Sequence, residues 1–471
     1  MARRPKITEQ ALAKLGAHRL ALLLVAEASR NRQLKQALEL ALDAEKGADG
    51  LAASIRKRLT TIRQAGSELS ADKARDVVAE LDRLKASILT DIATANPDEA
   101  LDLLWLLVDL HPGLIERCFE RSPHLADFFR ATCQELGPLA SKSTRPRSSL
   151  ANQVFVRVLD NPYGLLDDLI SVMAEGLGDE GLEALKALLV EERQKRTTAN
   201  LGREERAGHY DHRLSTVSIA LREVADCQGD VDGYMQAHAA RDPSNPAFAA
   251  EIAVRLVAAG RAEEALEILD QATPSEHNRY FKEMEWSDAR IAALDALGRA
   301  DKAQALRWHS FEKFLCRGHL RDYLKRLPDF DDAEAEDRAL DWVAQHPSFH
   351  AALMFLVGWP ALPRAAKLVE SRTREIDGDR YEILNPAAEA LEGKFPLAGS
   401  LLRRALVAYT LQSARSSRYR HAARHVLDLE SLAPTIKDFG LHETHSAFMD
   451  RLKSDHARKY GFWQALDEVR G

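Results

Sequence analysis

Apolar residues recur at helical spacing along nearly the whole chain. In ANPDEALDLLWLLVDLHPG (95–113), Leu101, Leu104, Trp105 and Val108 follow the i, i+3, i+4, i+7 pattern of one helix face. Asn96 suits the cap, Pro97 the first helical position, and Asp98 and Glu99 the positive end of the helix dipole. Pro112 and Gly113 are read as its end. The run LALLLVAEA (20–28) is short and follows Glu9, Lys14, His18 and Arg19, so it reads as one face of a helix and not as a secretory signal. No run of about eighteen apolar residues is present, so no membrane span is expected. No stretch alternates convincingly with period two. The pattern predicts an all-α chain.

Three polar stretches break the pattern. SKSTRPRSS (141–149) reads as a loop or linker, the glycines of the charged RQKRTTANLGREERAGHYDH (193–212) should interrupt any helix, and RDPSNP (241–246) is a third break. They suggest an N-terminal helical bundle at 1–145, a helical connector at 146–230, and a helical array at 231–471. The array has an internal repeat. In AAGRAEEALEILDQATP (258–274), Gly260 falls at a tight inter-helix turn, Ala265 where two helices pack closely, and Ala272 where the next pair packs. ALGRADKAQALRW (296–308) repeats the phrase, with Gly298 and Ala303 at the same five-residue offset. SRYRHAARHVLDLESLAP (417–434) is a fainter echo, with Ala422 and Ala423 at the small position. Small residues let antiparallel helices approach, and each hairpin buries its face against its neighbours. The expected architecture is a tetratricopeptide-like α-solenoid after the bundle.

Composition fits helices: the 471 residues are 45% hydrophobic, 29% charged and only 6% aromatic. The four cysteines, Cys118, Cys133, Cys227 and Cys316, form no CxxC pair. Neither a zinc ribbon nor a disulfide framework is encoded, and a reducing cytoplasm is the expected compartment. Charge is uneven. Residues 1–66 hold 13 Lys/Arg against 6 Asp/Glu, a net +7, and 401–471 hold 12 against 8, a net +4. The remainder carries a net −18, so an acidic body has two basic ends.

The C-terminal segment HETHSAFMDRLKSDHARKYGFWQAL (442–466) resembles the end of a bacterial, mainly proteobacterial, family of all-helical proteins of unknown function. LGAHRLALLLVAEASRN, SIRKRLTTI and PDEALDLLWLLVDL are similar to that family too, so the resemblance spans nearly the whole chain. The C-terminal part is also similar to the helical tail of bacterial SWIM zinc-finger proteins, but their Cys-x-Cys and Cys-x-His zinc motif is absent. The resemblance implies a helical fold and a bacterial origin. It implies no activity, metal or cofactor.

Candidate chemistry lies in the basic ends. Arg56, Lys57, Arg58 and Arg63 cluster on one predicted helix, which could follow a nucleic-acid backbone or membrane head groups. Arg403, Arg404, Arg415, Arg418, Arg420 and Arg424 form an acid-free stretch interleaved with Tyr409 and Tyr419, a mixture suited to phosphate contact and base stacking. The competing expectation is a solvated face, or pairing with the acidic run DFDDAEAED (329–337). His421 and His425 share the i, i+4 spacing of a chelating pair. His445 and His456 belong to a stripe with Leu441, Phe448, Leu452, Lys459 and Trp463, but lie about 16.5 Å apart along a helix and cannot share an ion. No GxSxG, Walker, HExxH or strand-preceded GxGxxG motif occurs. Gly, His, Tyr and Asp around 201–211 match no nucleophile–base spacing, and the adjacent Asp167 and Asp168 diverge on a helix. No catalytic residue, metal ligand or cofactor is assigned. The expected function is a non-catalytic scaffold that binds a peptide or protein in a helical groove. The alternative is a nucleic-acid-associated protein using 56–63 and 403–424.

Overall fold

Short polar side chains start many of the helices. Asn31, Ser70, Asn96, Ser348 and Thr444 each accept a hydrogen bond from a first-turn backbone N–H that the helix itself leaves unpaired. The computed structural model describes residues 8–118, 123–201, 212–238, 244–272 and 280–471. Their regular secondary structure is all helical, with a single isolated bridge between Leu69 and Cys118 as their one β-type contact. The chain divides into two compact units, 1–242 and 243–471.

The longer helices of the first unit are α1 (Ala17–Ala28), α2 (Arg32–Ala44), α3 (Ala48–Gln64), α4 (Ala71–Ser87), α5 (Pro97–Val108), α6 (Pro123–Gln134), α7 (Arg147–Leu159), α8 (Leu169–Leu201, bent at Gly178), α9 (His212–Gln228) and α10 (Val231–His238). Helix α5 begins as its sequence predicts, with Asn96 Oδ1 accepting from the Glu99 N–H at 3.1 Å. Its burial goes beyond the predicted stripe: Leu103 and Leu107 are buried along with Leu101, Leu104, Trp105 and Val108. The helix is central, and burying each such leucine contributes about 1.5–3 kcal/mol. Its one interior polar residue, Asp102, is held by two 2.6 Å bonds from Arg145.

Pro112 and Gly113 do not act as a stop. They lie inside a further short helix, His111–Glu116, because proline fits the first turn, where its missing N–H costs nothing. The polar stretch 141–149 is fastened and not a free linker. Ser143 and Thr144 donate to Asp98 at 2.5 and 2.6 Å, and Arg145 reaches Asp102. The stretch 193–212 begins inside α8, which runs on to Leu201; residues 202–211 lie outside the described residues. Helices α7, α8 and α9 supply Leu150, Val154, Leu185, Leu189, Val217 and Val224 to the same core as α3 and α5.

The second unit contains α11 (Pro246–Ala258), α12 (Ala262–Gln271), α13 (Tyr280–Ala296), α14 (Ala300–Phe314), α15 (Arg317–Leu324), α16 (Asp331–Gln345), α17 (Phe349–Gly358), α18 (Leu362–Ser371), α19 (Tyr381–Glu392), α20 (Pro396–Gln412), α21 (Tyr419–Leu432), α22 (His445–His456) and α23 (Tyr460–Arg470). Helix α11 packs on α12 and α13, α16 on α17 and α18, α17 on α18 and α19, and α18 on α19 and α20.

Three of the helix ends share one turn. After α11, Gly260 has φ 76°, its N–H bonds Val257 O, and the Arg261 N–H bonds Leu256 O at 2.8 Å. After α13, Gly298 has φ 67° with the matching bonds to Asp295 O and Leu294 O. After α20, Ala414 has φ 50° with bonds to Leu411 O and, from Arg415, to Thr410 O. Each is a paired-bond helix cap that needs a left-handed residue at one position.

Candidate functional site

The basic stretch 403–424 is divided by the fold into internal braces and a groove wall. Arg403 and Arg404 are adjacent on α20, so their side chains leave the helix about 100° apart. Arg403 is 6% exposed and ties three helices together. Its Nη2 donates to Glu392 of α19 at 2.6 Å, and its Nη1 donates to Asp428 of α21 at 2.7 Å. Nη1 also lies 3.1 Å from His425 Nδ1. Burial first, and then the Arg403 charge, hold His425 below the usual imidazole range. The ring is therefore neutral near pH 7. Its Nδ1 lone pair faces the guanidinium, which leaves the proton on Nε2. Arg404 turns the other way. Its Nη1 donates to the Glu443 carbonyl oxygen at 2.7 Å, and its guanidinium sits 5.1 Å from the Phe448 ring centre. Burial pulls it below the normal guanidinium range.

Helices α19, α20 and α21 wall a groove of about 850 Å3. Arg403 closes its floor, and Tyr381, Arg418, His421 and Arg424 stand on its walls. Arg418 lies 4.9 Å from the Tyr381 ring centre and 3.2 Å from Asp379. His421 and Arg424 are exposed and have no partner among the described residues. Asn385 also lines the groove, and its Oδ1 has no donor among the described residues. The expected pairing with the acidic run is not the one formed: Asp337 holds Arg364, and the carboxylates that hold Arg403 and Arg418 come from 379, 392 and 428.

The N-terminal set divides in the same way. Arg56 pairs with Glu99 at 2.7 Å, and Arg58 grips both carboxylate oxygens of Glu80. Lys57 and Arg63 are exposed. Of the ten cations singled out in the sequence, Lys57, Arg63, Arg415, Arg420 and Arg424 are thus exposed without a carboxylate partner among the described residues. They belong to two different compact units. At the repeat positions, Ala265, Ala272 and Ala303 are buried, and Gly260 and Gly298 are the left-handed turn residues described above.

The C-terminal histidine stripe crosses a break. Helix α22 ends at His456 and α23 starts at Tyr460 with Lys459 at its cap, so Lys459 and Trp463 are not on the helix of His445. The break is held by the Trp463 indole donating to the His456 carbonyl oxygen at 3.0 Å. Leu441 precedes α22 and is fully exposed. No group of three or more His, Cys, Asp or Glu among the described residues is arranged to hold a metal. The Gly/His/Tyr/Asp segment lies, from residue 202 on, outside the described residues.

Two chemically notable clusters escaped the sequence reading. Cys316 occupies the N-cap of α15, and His319 lies in the first turn. His319 Nε2 is 2.5 Å from the Asp288 carboxylate, and Nδ1 is 2.8 Å from Ser310 Oγ. Hydrogen bonding to Asp288 and then to Cys316 raises His319 to about 9, and hydrogen bonding from His319 draws the Cys316 thiol below its normal range. In the second cluster, burial and then the nearby Asp168 and Asp167 charges push Glu223 up to about 7. Only a C-x-x-H spacing at 316–319 hinted at the first cluster; Asp288 comes from a different helix.

Among the described residues, no helix is long and apolar enough to cross a membrane. Comparison with sequence families matches residues 2–465 to the Family of unknown function (DUF6880). No curated protein matches the chain.

Proposed function

We propose, for a chain that belongs to the DUF6880 family, a non-catalytic role as an interaction scaffold that binds a peptide in the groove between α19, α20 and α21. The observation that carries this reading is the groove's split between committed and free groups. Arg403 is committed to two carboxylates, Glu392 and Asp428, in its floor, whereas Arg424, His421 and Asn385 Oδ1, and on the α19 wall Glu389, are left without partners among the described residues. Asn385 Oδ1 is an acceptor that a peptide N–H can satisfy, and Arg424 is a donor for an acidic side chain. The ligand is a peptide with at least one carboxylate facing α21. The scaffold is a tetratricopeptide-like array of a bacterial, cytoplasmic protein. Support for the array comes from helices that contact their first and second neighbours and from the recurring turn at 260, 298 and 414.

The test is a random peptide display library panned on the immobilised full chain. Enriched peptides should be acidic and should lose at least tenfold in affinity with Arg424→Glu, while Arg63→Glu in the other unit changes nothing. No enrichment, or enriched peptides indifferent to Arg424→Glu, refutes the reading. The nucleic-acid reading draws on the five exposed cations named above. Gel shifts with random DNA and RNA at low salt test it, and absence of binding there removes it.

A further inference from the structure

Arg83 of α4 presents an unmet demand. Its Nη2 is shut off from water and has no acceptor among the described residues. Buried charged donors are seldom left in this state. The natural partner, Glu80, stands one turn earlier on the same helix, but both of its oxygens are taken by Arg58. Asp43 across the way is taken by Lys46 at 2.6 Å. Arg83, Glu80, Asp43 and Lys46 all line a cavity of about 480 Å3 between α2, α3 and α4. Lys57 lines it too, exposed and without a carboxylate partner among the described residues.

With those two internal pairs set aside, and with the third carboxylate of the lining, Glu39, facing Lys35 at 3.8 Å on the rim, Lys57 and Arg83 are the cations left over. Ser54 and Thr61 stand on the same wall, the Ser54 hydroxyl bonded to Asp43 and the Thr61 hydroxyl donating to the Lys57 carbonyl oxygen at 2.9 Å. Leu40 and Leu84 give the cavity an apolar side. We infer that this cavity binds an organic phosphate, with the phosphate on Arg83 and Lys57 and its carbon substituent against Leu40 and Leu84. A phosphate monoester carries about −1.5 to −2 at pH 7, which matches two uncommitted cations, whereas a single carboxylate answers one. A guanidinium also presents a donor fork suited to phosphate oxygens. The cavity is much larger than a phosphate group alone, so the ligand has an organic part. Because Nη2 is shut off from water without a ligand, binding requires the Arg83 side chain to turn into the cavity, which ends its isolation.

The phosphate could be carried by a soluble molecule or by a lipid. Helix α1, which contacts α2, has no buried residue, and its Leu22, Leu23 and Val25 are 60%, 54% and 69% exposed. The experiment therefore has two arms on the full chain. One titrates glycerol 3-phosphate and follows heat and melting temperature. The other sediments the protein with phosphatidylcholine vesicles containing phosphatidic acid, against phosphatidylcholine alone. Binding in the first arm assigns a soluble organic phosphate, and binding only to phosphatidic acid vesicles assigns a lipid head group. In either case Arg83→Met should cut affinity at least tenfold while leaving the unliganded melting temperature unchanged or higher, because an unmet charge has been removed. Lys57→Gln, at an exposed position that folding does not need, should cut it at least threefold. The inference is overturned if neither probe binds, or if Arg83→Met and Lys57→Gln bind as the wild type does.

Discussion

Replacing Gly298 with alanine and Ala414 with glycine should move the stability of the second unit in opposite directions. Both residues occupy the left-handed position of the same helix-ending turn, at φ 67° and φ 50°. A left-handed conformation costs an L-residue about 1–2 kcal/mol relative to glycine. Against this, alanine narrows the unfolded ensemble and returns about 0.4–1 kcal/mol. The net cost of alanine at such a site is about 1 kcal/mol. Packing does not complicate the comparison: a Cβ at Gly298 meets nothing within 4 Å, and Ala414 is exposed. Gly298→Ala should therefore destabilise by about 1 kcal/mol, and Ala414→Gly should stabilise by a similar amount. In a unit of this size each step shifts the midpoint by about 2–4 °C. Calorimetry on the full chain reads the transition of the second unit, and Gly260→Ala, with φ 76° and equally open surroundings, serves as a replicate of Gly298→Ala. Shifts of the same sign for Gly298→Ala and Ala414→Gly, or no shift for either, would refute the claim that one turn geometry recurs at these helix ends.

Two further predictions concern titration. Glu223 binds its proton more tightly in the folded chain than in the unfolded one, because burial first and the Asp168 and Asp167 charges next raise it to about 7. Stability from this group is therefore present at low pH and is lost as pH rises from about 4.5 to about 7. Discounted for its partial exposure, the effect is about 1–2 kcal/mol. Urea denaturation should show Glu223→Gln close to wild type at pH 5 and more stable at pH 8; an equal difference at both pH values contradicts the assignment. The Cys316 thiol, drawn down by His319, should alkylate with iodoacetamide at a lower pH midpoint than the buried Cys133, which burial pushes up to about 12. Asp288→Asn removes the carboxylate that keeps His319 protonated, so it should move the Cys316 midpoint upward; an unmoved midpoint shows that His319 does not act on Cys316 through Asp288.

What could be read in the sequence follows the range of each interaction. The helices came from local spacing and caps, and Asn96 with Pro97 and Glu99 is legible because all its partners lie within one turn. The turn at 260 and 298 was visible because glycine marks a left-handed residue; the same turn at 414 was not read, because alanine stands there and signals an ordinary helix. The end of α22 was missed for a related reason: HARKYG carries no proline, its glycine comes after the break, and the stop is made by a tryptophan seven residues beyond His456. Charge is where local inference failed most. Arg403 and Arg424 look alike in an acid-free stretch, yet one is a buried brace and the other an exposed cation. The difference is made by Glu392 and Asp428, eleven and twenty-five residues away from Arg403. An acid-free window of sequence therefore says nothing about whether its cations are free. Arg83 shows the converse, since Glu80 stands at ideal helical spacing and is nevertheless claimed by Arg58 of the neighbouring helix. Which cations remain for a ligand is decided by competition between helices for carboxylates, and this property belongs to the packed core and not to any one helix.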